Sequence, residues 1–217
     1  MRVLGALGLL LLAGCPKADK PAAPSPEAVF WTWFSKEEGR LAEEARAKDP
    51  TGAMMTISGH LEAASPGVLA EIAVGQAPMH PHTLVITADG DRKLFPVVKK
   101  VVAAAPALTK WKVVAFRQRS DWGSSIEIDG FTGKAEDFYF RELRRTNGKV
   151  DVEVLVKGMT DTNEKAAQRV AYLMLDHLLG EYDVETKVAG IAVLSLPENP
   201  GDDVKPLAKL VGVIDAL

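Results

Sequence analysis

The stretch Phe138–Val156, FYFRELRRTNGKVDVEVLV, decides the fold class of this chain. Its two arms are rich in the β-branched and aromatic residues that favour half-buried strands. Between them stands Asn147-Gly148, the strongest short hairpin signal in the sequence, because both residues tolerate the positive φ of a tight turn. The stretch therefore predicts two antiparallel strands, Phe138–Thr146 and Lys149–Val156.

A helix is predicted after this hairpin. Asp161 is followed three residues later by Glu164, which is a capping-box pattern, and Gly180 is a typical residue just beyond a helix end. The segment Tyr182–Leu196 then predicts one or two strands. A final amphipathic helix is expected to begin at Asp202 or Asp203.

The first half of the chain shows a similar order of elements. Strand patterns at Val68–Val74 and Leu84–Ala88 precede a helical pattern at Leu94–Ala105, and Trp111–Phe116 returns to strand character. The segment Ser120–Lys134, rich in Gly, Ser and Asp, is interpreted as a long connection. Each half thus predicts strand–strand–helix–strand. Duplication stays open, because no residue-level repeat accompanies this order.

These patterns predict an α+β fold, with a mostly antiparallel sheet and helices packed on one face. We expect one domain over residues 27–217. Its first helix begins at Ser25-Pro26-Glu27, a capping residue followed by a proline and an early acid. Phe30, Trp33 and Phe34 fall on one helical stripe, which favours a buried core over the alternative of an aromatic ligand patch. Trp31 lies off this stripe.

The N-terminus carries a second signal. Met1-Arg2 and the apolar run Val3–Leu12 have the lengths of a signal-peptide n-region and h-region, and Ala13-Gly14 leads into Cys15, the single cysteine. The stretch Leu12–Cys15 resembles the lipobox of bacterial lipoproteins.

This resemblance implies that residues 1–14 are a signal peptide and that Cys15 is acylated as the first residue of the mature chain. Residues 15–26, rich in Pro, Ala and Lys, are then a tether between lipid and domain. The membrane is thus a predicted partner through the anchor at Cys15. Because Pro16 rather than an aspartate follows the cysteine, the enterobacterial pattern favours the outer membrane over the inner one.

Composition excludes several classes of protein. The chain has 26 basic and 29 acidic residues and a net charge of −3, so it lacks the basic character of a nucleic-acid binder. An apolar content of 47% is ordinary for a globular protein. With Cys15 acylated, no thiol remains for a disulfide or a thiolate metal site.

Four short motifs resemble an uncharacterised family of bacterial proteins, over about residues 30 to 195. This resemblance implies no activity. The motifs are Trp31-x-Trp33-Phe34, Thr87-Ala88-Asp89-Gly90-Asp91, Ala104-Ala105-Pro106 before Trp111, and Leu179-Gly180-Glu181-Tyr182.

Two motifs have metal-ligand residue types. Asp89-Gly90-Asp91 places two carboxylates around a glycine, but a calcium loop needs more oxygen ligands, so a turn with a capping aspartate is favoured. His80-Pro81-His82 places two imidazoles on one face of an extended segment. Zinc would need a third ligand, such as His60, His177 or a carboxylate, and a loop at the start of a strand is favoured.

The densest group of titratable residues is Asp176-His177 with Glu181 and Asp183. His177 and Glu181 are four residues apart, so a continuing helix would place them on one face for acid–base work. The structural alternative is a histidine placed favourably at the C-terminal end of a helix.

No GxSxG, HExxH, P-loop or dinucleotide-binding glycine motif occurs in the sequence. We therefore expect a lipid-anchored envelope protein with a non-catalytic binding domain, no cofactor and a protein or cell-surface partner. The alternative is an envelope hydrolase or metal-dependent enzyme that uses Asp89, Asp91, His177 and Glu181.

Overall fold

The computed structural model describes residues 23–47, 50–75, 80–120 and 125–217, and it has an α+β fold. Cys15 and the predicted signal peptide lie outside these ranges. Within them, no helix is both long enough and apolar enough to cross a membrane.

The first half is a three-stranded sheet covered on one face by helices. Its strands follow the order β1-β2-β3, with β1 antiparallel and β3 parallel to β2. The chain passes from β2 to β3 through helix α3, as a parallel connection requires. The elements are α1 (Pro26–Arg46), α2 (Thr51–Ala64), β1 (Leu69–Ala73), β2 (His82–Thr87), α3 (Phe95–Ala103) and β3 (Trp111–Ala115).

The second half contains a short hairpin and a four-stranded sheet. The hairpin, β4 (Ile126–Ile128) and β5 (Phe131–Gly133), contacts helix α4. The sheet has the order β8-β7-β6-β9, and only β7 and β8 are parallel. Its elements are β6 (Phe138–Thr146), β7 (Lys149–Val156), α4 (Glu164–Leu179), α5 (Glu181–Lys187), β8 (Val188–Ser195), β9 (Lys205–Pro206) and α6 (Leu210–Asp215).

The strand–strand–helix–strand order is therefore present in both halves. In each, two antiparallel strands are followed by a helix and by a third strand parallel to the second. The predicted α+β fold is confirmed, and antiparallel pairings predominate. The described strands form three separate sheets. Two are mixed, because each half builds its own sheet around its own helical crossover, and the third is the β4–β5 hairpin.

Buried apolar side chains form two clusters, one in each half. In the first cluster, Phe30, Trp31 and Phe34 are at most 3% exposed. The prediction that Trp33 rather than Trp31 lies in the core is wrong. Trp31 donates from its indole nitrogen to the Val101 carbonyl at 2.7 Å, whereas Trp33 is partly buried at the edge of the cluster and stacks on His60.

The predicted hairpin turn is confirmed. Asn147 and Gly148 have φ of 52° and 71°, the left-handed values that a type I′ turn needs. The Asp161 capping box is wrong, since α4 starts at Glu164 and is preceded by Asn163, whose side chain accepts from the Thr160 amide at 2.8 Å.

Three further segments differ from the predictions. The connection Ser120–Lys134 contains the β4–β5 hairpin, and the first part of Tyr182–Leu196 is helix α5. The last helical segment begins at Leu207 as a 3-10 turn rather than at Asp202 or Asp203. Short or mixed apolar patterns of this kind suit either type of element, so packing decides between them.

Candidate binding cleft between the first sheet and helix α4

The Asp89-Gly90-Asp91 motif is a turn. The Asp91 carboxylate accepts from the Lys93 amide at 3.0 Å and so caps the 3-10 turn that precedes α3. Asp89 has a φ of 49° and pairs with Arg117 at 2.6 Å. Across the described ranges no group of three His, Cys, Asp or Glu residues is arranged to hold a metal ion.

The two histidines of His80-Pro81-His82 have different surroundings. His80 is exposed, and His82 is completely buried. The Nδ1 atom of His82 accepts from the Gly75 amide at 3.2 Å, and its Nε2 lies 3.1 Å from the Ala42 carbonyl. Burial and the positive charge of Arg46 lower the pKa of His82. A neutral ring with both nitrogens engaged is a core histidine rather than a zinc ligand.

His177 and Glu181 do not share a helix face. Gly180 ends α4 with a φ of 77°, and the chain turns there into α5. The predicted acid–base pair is therefore separated: His177 lies beside Ser120, and Glu181 enters the junction between the two halves. Asp183 pairs with Arg119 at 2.6 Å.

Glu181 is 1% exposed and lies at the carboxyl ends of the parallel strands β2 and β3. Its Oε2 accepts from the Thr87 hydroxyl at 2.5 Å and from the Arg117 amide at 3.1 Å. Its Oε1 accepts from the amides of Ala88 and Gly90 at 3.1 and 3.3 Å. The ends of parallel strands are a common ligand position, and here a side chain from the second half occupies it.

A cleft of about 580 Å³ lies between the first sheet and α4. Helices cover one face of that sheet, and the other face supplies the apolar wall residues Ala73, Val85 and Val114. The opposite wall comes from α4, where Leu173, Asp176 and His177 lie three and four residues apart on one helix face. The cleft lies within the size range of small-molecule sites.

Arg117 is the centre of the charges in this cleft. Its guanidinium lies 2.7 Å from Glu71, 2.6 Å from Asp89 and 3.7 Å from Asp176. Burial opposes the charged form of Arg117, but the hydrogen bonds to Glu71 and Asp89 outweigh it and raise the pKa. Arg117 is thus a permanent cation that ties β1, the turn after β2 and the turn after β3 together.

Asp176 is the least well compensated carboxylate of this group. Its side chain is 29% exposed, and its contact with Arg117 is about 1 Å longer than those of Glu71 and Asp89. Burial raises its pKa to about 6; Arg117 opposes this effect, and the negative charges of Glu181, Glu185 and Asp89 add to it. Asp176 is therefore a carboxyl group that ionises less readily than an exposed aspartate, because its partly buried charge is poorly compensated.

Ser120 and His177 form a second polar pair at the cleft. The serine Oγ lies 2.8 Å from the histidine Nδ1, and the Ser120 amide donates to the His177 carbonyl at 2.8 Å. In a serine hydrolase a carboxylate orients the histidine. Here the carboxylates of Asp89 and Asp176 are directed at Arg117 instead.

No protein-family model matches this chain, and no curated protein matches it significantly. Sequence reasoning missed Arg117 and Glu71, although a signal for Arg117 was present. Arg117 directly follows the predicted strand Trp111–Phe116, and Asp89 directly follows the predicted strand Leu84–Ala88. The carboxyl ends of parallel strands meet at one edge of a sheet, so the two residues could have been expected there together.

Proposed function

We propose that this chain is a lipid-anchored protein of the bacterial cell envelope whose α+β domain binds a ligand without chemical change. The cleft between the first sheet and α4 is the observation that carries the binding function. It joins apolar walls to a charged end, the usual composition of a ligand site.

The anchoring part of the proposal is supported by the lipobox-like stretch Leu12–Cys15. Two or more acyl chains suffice for stable membrane attachment, so the domain needs no membrane-binding face. The tether of residues 15–26 would separate the cleft from the lipid surface. We propose the outer rather than the inner membrane, because Pro16 rather than an aspartate follows the cysteine, as in the enterobacterial pattern for transport to the outer membrane.

The enzyme alternative required Asp89, Asp91, His177 and Glu181 to act together. Asp91 caps a turn and Glu181 is enclosed by four donors. Asp89 and His177 both line the cleft, but Asp89 is paired with Arg117 and His177 lies beside Ser120. A shared reaction centre needs such groups within hydrogen-bond reach of one substrate. Because Asp91 and Glu181 are engaged elsewhere, the four groups do not form one reaction centre, and this favours binding over catalysis.

The anchor is tested by metabolic labelling with a fatty acid and by mass spectrometry of the N-terminus. We expect wild-type protein to be labelled and to begin at Cys15, and Cys15→Ser to be unlabelled and to retain residues 1–14. The matched control is Cys15→Ser combined with Ala22→Cys, which keeps one thiol outside the lipobox and should also be unlabelled. A labelled or mature-sized Cys15→Ser protein would refute the anchor.

A further inference from the structure

We infer that the cleft between the first sheet and α4 binds an aliphatic ligand headed by an ammonium group, which Asp176 receives. This inference rests on the proposed binding function and specifies its ligand class. The ammonium group could belong to a free aliphatic amine or to a lysine side chain, since both present the same chemistry to the cleft.

The walls of the cleft favour an aliphatic chain. Val85 and Val114 are neighbours across β2 and β3, and Leu173 faces them from α4 while remaining 40% exposed. Exposed apolar surface on both sides of a cleft is removed from water when an alkyl chain lies between them, and that burial is favourable.

The charges at the end of the cleft favour a cation. Three carboxylates, those of Glu71, Asp89 and Asp176, surround the single guanidinium of Arg117. Arg117 is in close contact with Glu71 and Asp89 and 3.7 Å from Asp176. The negative charge that remains would repel an anionic headgroup and attract an ammonium group to Asp176.

Asp176 also has the right environment to respond to a cation. It is mostly buried, so water compensates its charge poorly, and its pKa is already raised to about 6. An ammonium group beside it would favour the ionised form and lower that pKa. Ser120 and His177, on the same side of the cleft, have oxygen and nitrogen atoms that could accept further ammonium hydrogens.

The test uses the full lipidated chain in phosphatidylcholine nanodiscs with 13C-labelled Val and Leu methyl groups. Four probes are titrated at pH 7.5: pentylamine, N-acetyl-lysine methylamide, pentanol and pentanoate. We expect saturable shifts of the Val85, Val114 and Leu173 methyls with an amine, at an affinity at least tenfold above that of pentanol. Binding of the lysine derivative would indicate a peptide side chain, and binding of pentylamine alone would indicate a free amine.

Asp176→Asn should weaken amine binding at least tenfold and leave pentanol binding unchanged. The matched control is Asp129→Asn, which removes an exposed carboxylate paired with Arg169 outside the cleft, and it should bind amines as wild type does. In wild-type protein, lowering the pH from 7.5 to 5 should also weaken amine binding, because Asp176 becomes protonated.

Equal affinity for pentylamine and pentanol, or unchanged amine binding by Asp176→Asn, would overturn the inference. Preferential pentanoate binding at the same methyls would refute the ammonium ligand and leave the binding function standing. If none of the four probes shifts those methyls, both the ammonium ligand and the assignment of binding to this cleft fail. The anchor at Cys15 is judged separately by its own labelling experiment.

Discussion

Two carboxylates five residues apart, Asp176 and Glu181, show how surroundings assign different roles to the same chemical group. Glu181 is enclosed by one hydroxyl and three amide donors, so its buried charge is fully hydrogen-bonded. Asp176 is mostly buried, and its ion pair with Arg117 is long, at 3.7 Å. The first residue joins the two halves of the chain, and the second lines the cleft to which we assign ligand binding.

Asp176 should destabilise the folded protein at neutral pH. Its pKa rises from 3.8 to about 6 on folding, so the folded state holds the proton more tightly than the unfolded chain. That difference corresponds to about 3 kcal/mol at most at a pH above the folded-state pKa. It shrinks as the pH falls from about 6 toward 4, and it disappears below 3.8, where the carboxyl group is protonated in both the folded and the unfolded state.

Asp176→Asn should therefore raise the free energy of unfolding by about 1–3 kcal/mol at pH 7.5 and by much less at pH 4. Urea denaturation of both proteins at the two pH values measures this. Asp129→Asn, at an exposed ion pair, should change stability by less than about 1 kcal/mol at pH 7.5. If Asp176→Asn raised the free energy of unfolding equally at both pH values, the raised pKa of Asp176 could not be the cause.

Glu181→Gln should destabilise the protein strongly. Both oxygens of the Glu181 carboxylate accept hydrogen bonds. In glutamine one of these oxygens is replaced by an NH2 group, which cannot accept, so some of the buried N–H or O–H donors around it would lose their partner. Such a loss typically costs about 2–4 kcal/mol. The matched control is Glu185→Gln in the same helix, whose partner Arg92 is 48% exposed, and it should cost less than about 1 kcal/mol. Equal effects in urea denaturation would show that Glu181 does not join the halves.

At the scale of elements, helix α1 shows why periodicity alone misplaces individual residues. A helical stripe containing Phe30 and Phe34 can be widened on either side, toward Trp31 or toward Trp33. Trp31 is the buried one, because its indole nitrogen can donate to the Val101 carbonyl near the end of α3. Trp33 instead stacks on His60 of α2.

The aromatic residues of α1 should therefore differ in their contribution to stability. Phe34 is completely buried, and Phe34→Ala should cost about 3–5 kcal/mol, with a correspondingly large fall in Tm. Trp33→Ala at the partly buried edge should cost clearly less. Thermal unfolding followed by circular dichroism compares the two variants. A larger loss of stability for Trp33→Ala than for Phe34→Ala would show that Trp33 is a core residue.

At the scale of the whole molecule, two apolar clusters are joined through a mixed junction. Phe95 and Phe116 of the first half pack against Tyr182, with ring centroids 5.6 and 5.3 Å away. Around this contact lie the bonds of Glu181 and the ion pair of Arg92 with Glu185 at 2.8 Å. These contacts support the prediction that residues 27–217 unfold as one unit.

Limited proteolysis tests that prediction. Cleavage should occur first in the Pro-rich tether of residues 15–26 and leave one resistant fragment, since exposed polar linkers are the preferred sites of nicking. Glu181→Gln should make cleavage within 120–134 faster than in Glu185→Gln. Two stable fragments separated within 120–134 in the wild-type protein would show that the halves are independent domains.

The sequence alone determined the features that depend on neighbouring residues. The Asn147-Gly148 turn, the start of α1 at Ser25-Pro26 and the end of α4 before Gly180 are local backbone requirements, so a short stretch contains the information they need. The strand–strand–helix–strand order followed from the spacing of apolar residues along each segment, which is also local information. The lipobox-like stretch ending at Cys15 is also recognised from sequence alone, and acylation of Cys15 stays a prediction.

Tertiary structure alone decided the cleft. Glu71, Asp89, Arg117 and Asp176 come from four separate segments. The ends of two predicted strands could have placed Arg117 near Asp89, but nothing in the sequence indicates that Glu71 and Asp176 would join them. The same holds for Glu181, which sequence reasoning paired with His177 on one helix. Charges interact through space and their strength depends on burial, and both distance and burial exist only once the two halves have packed against each other.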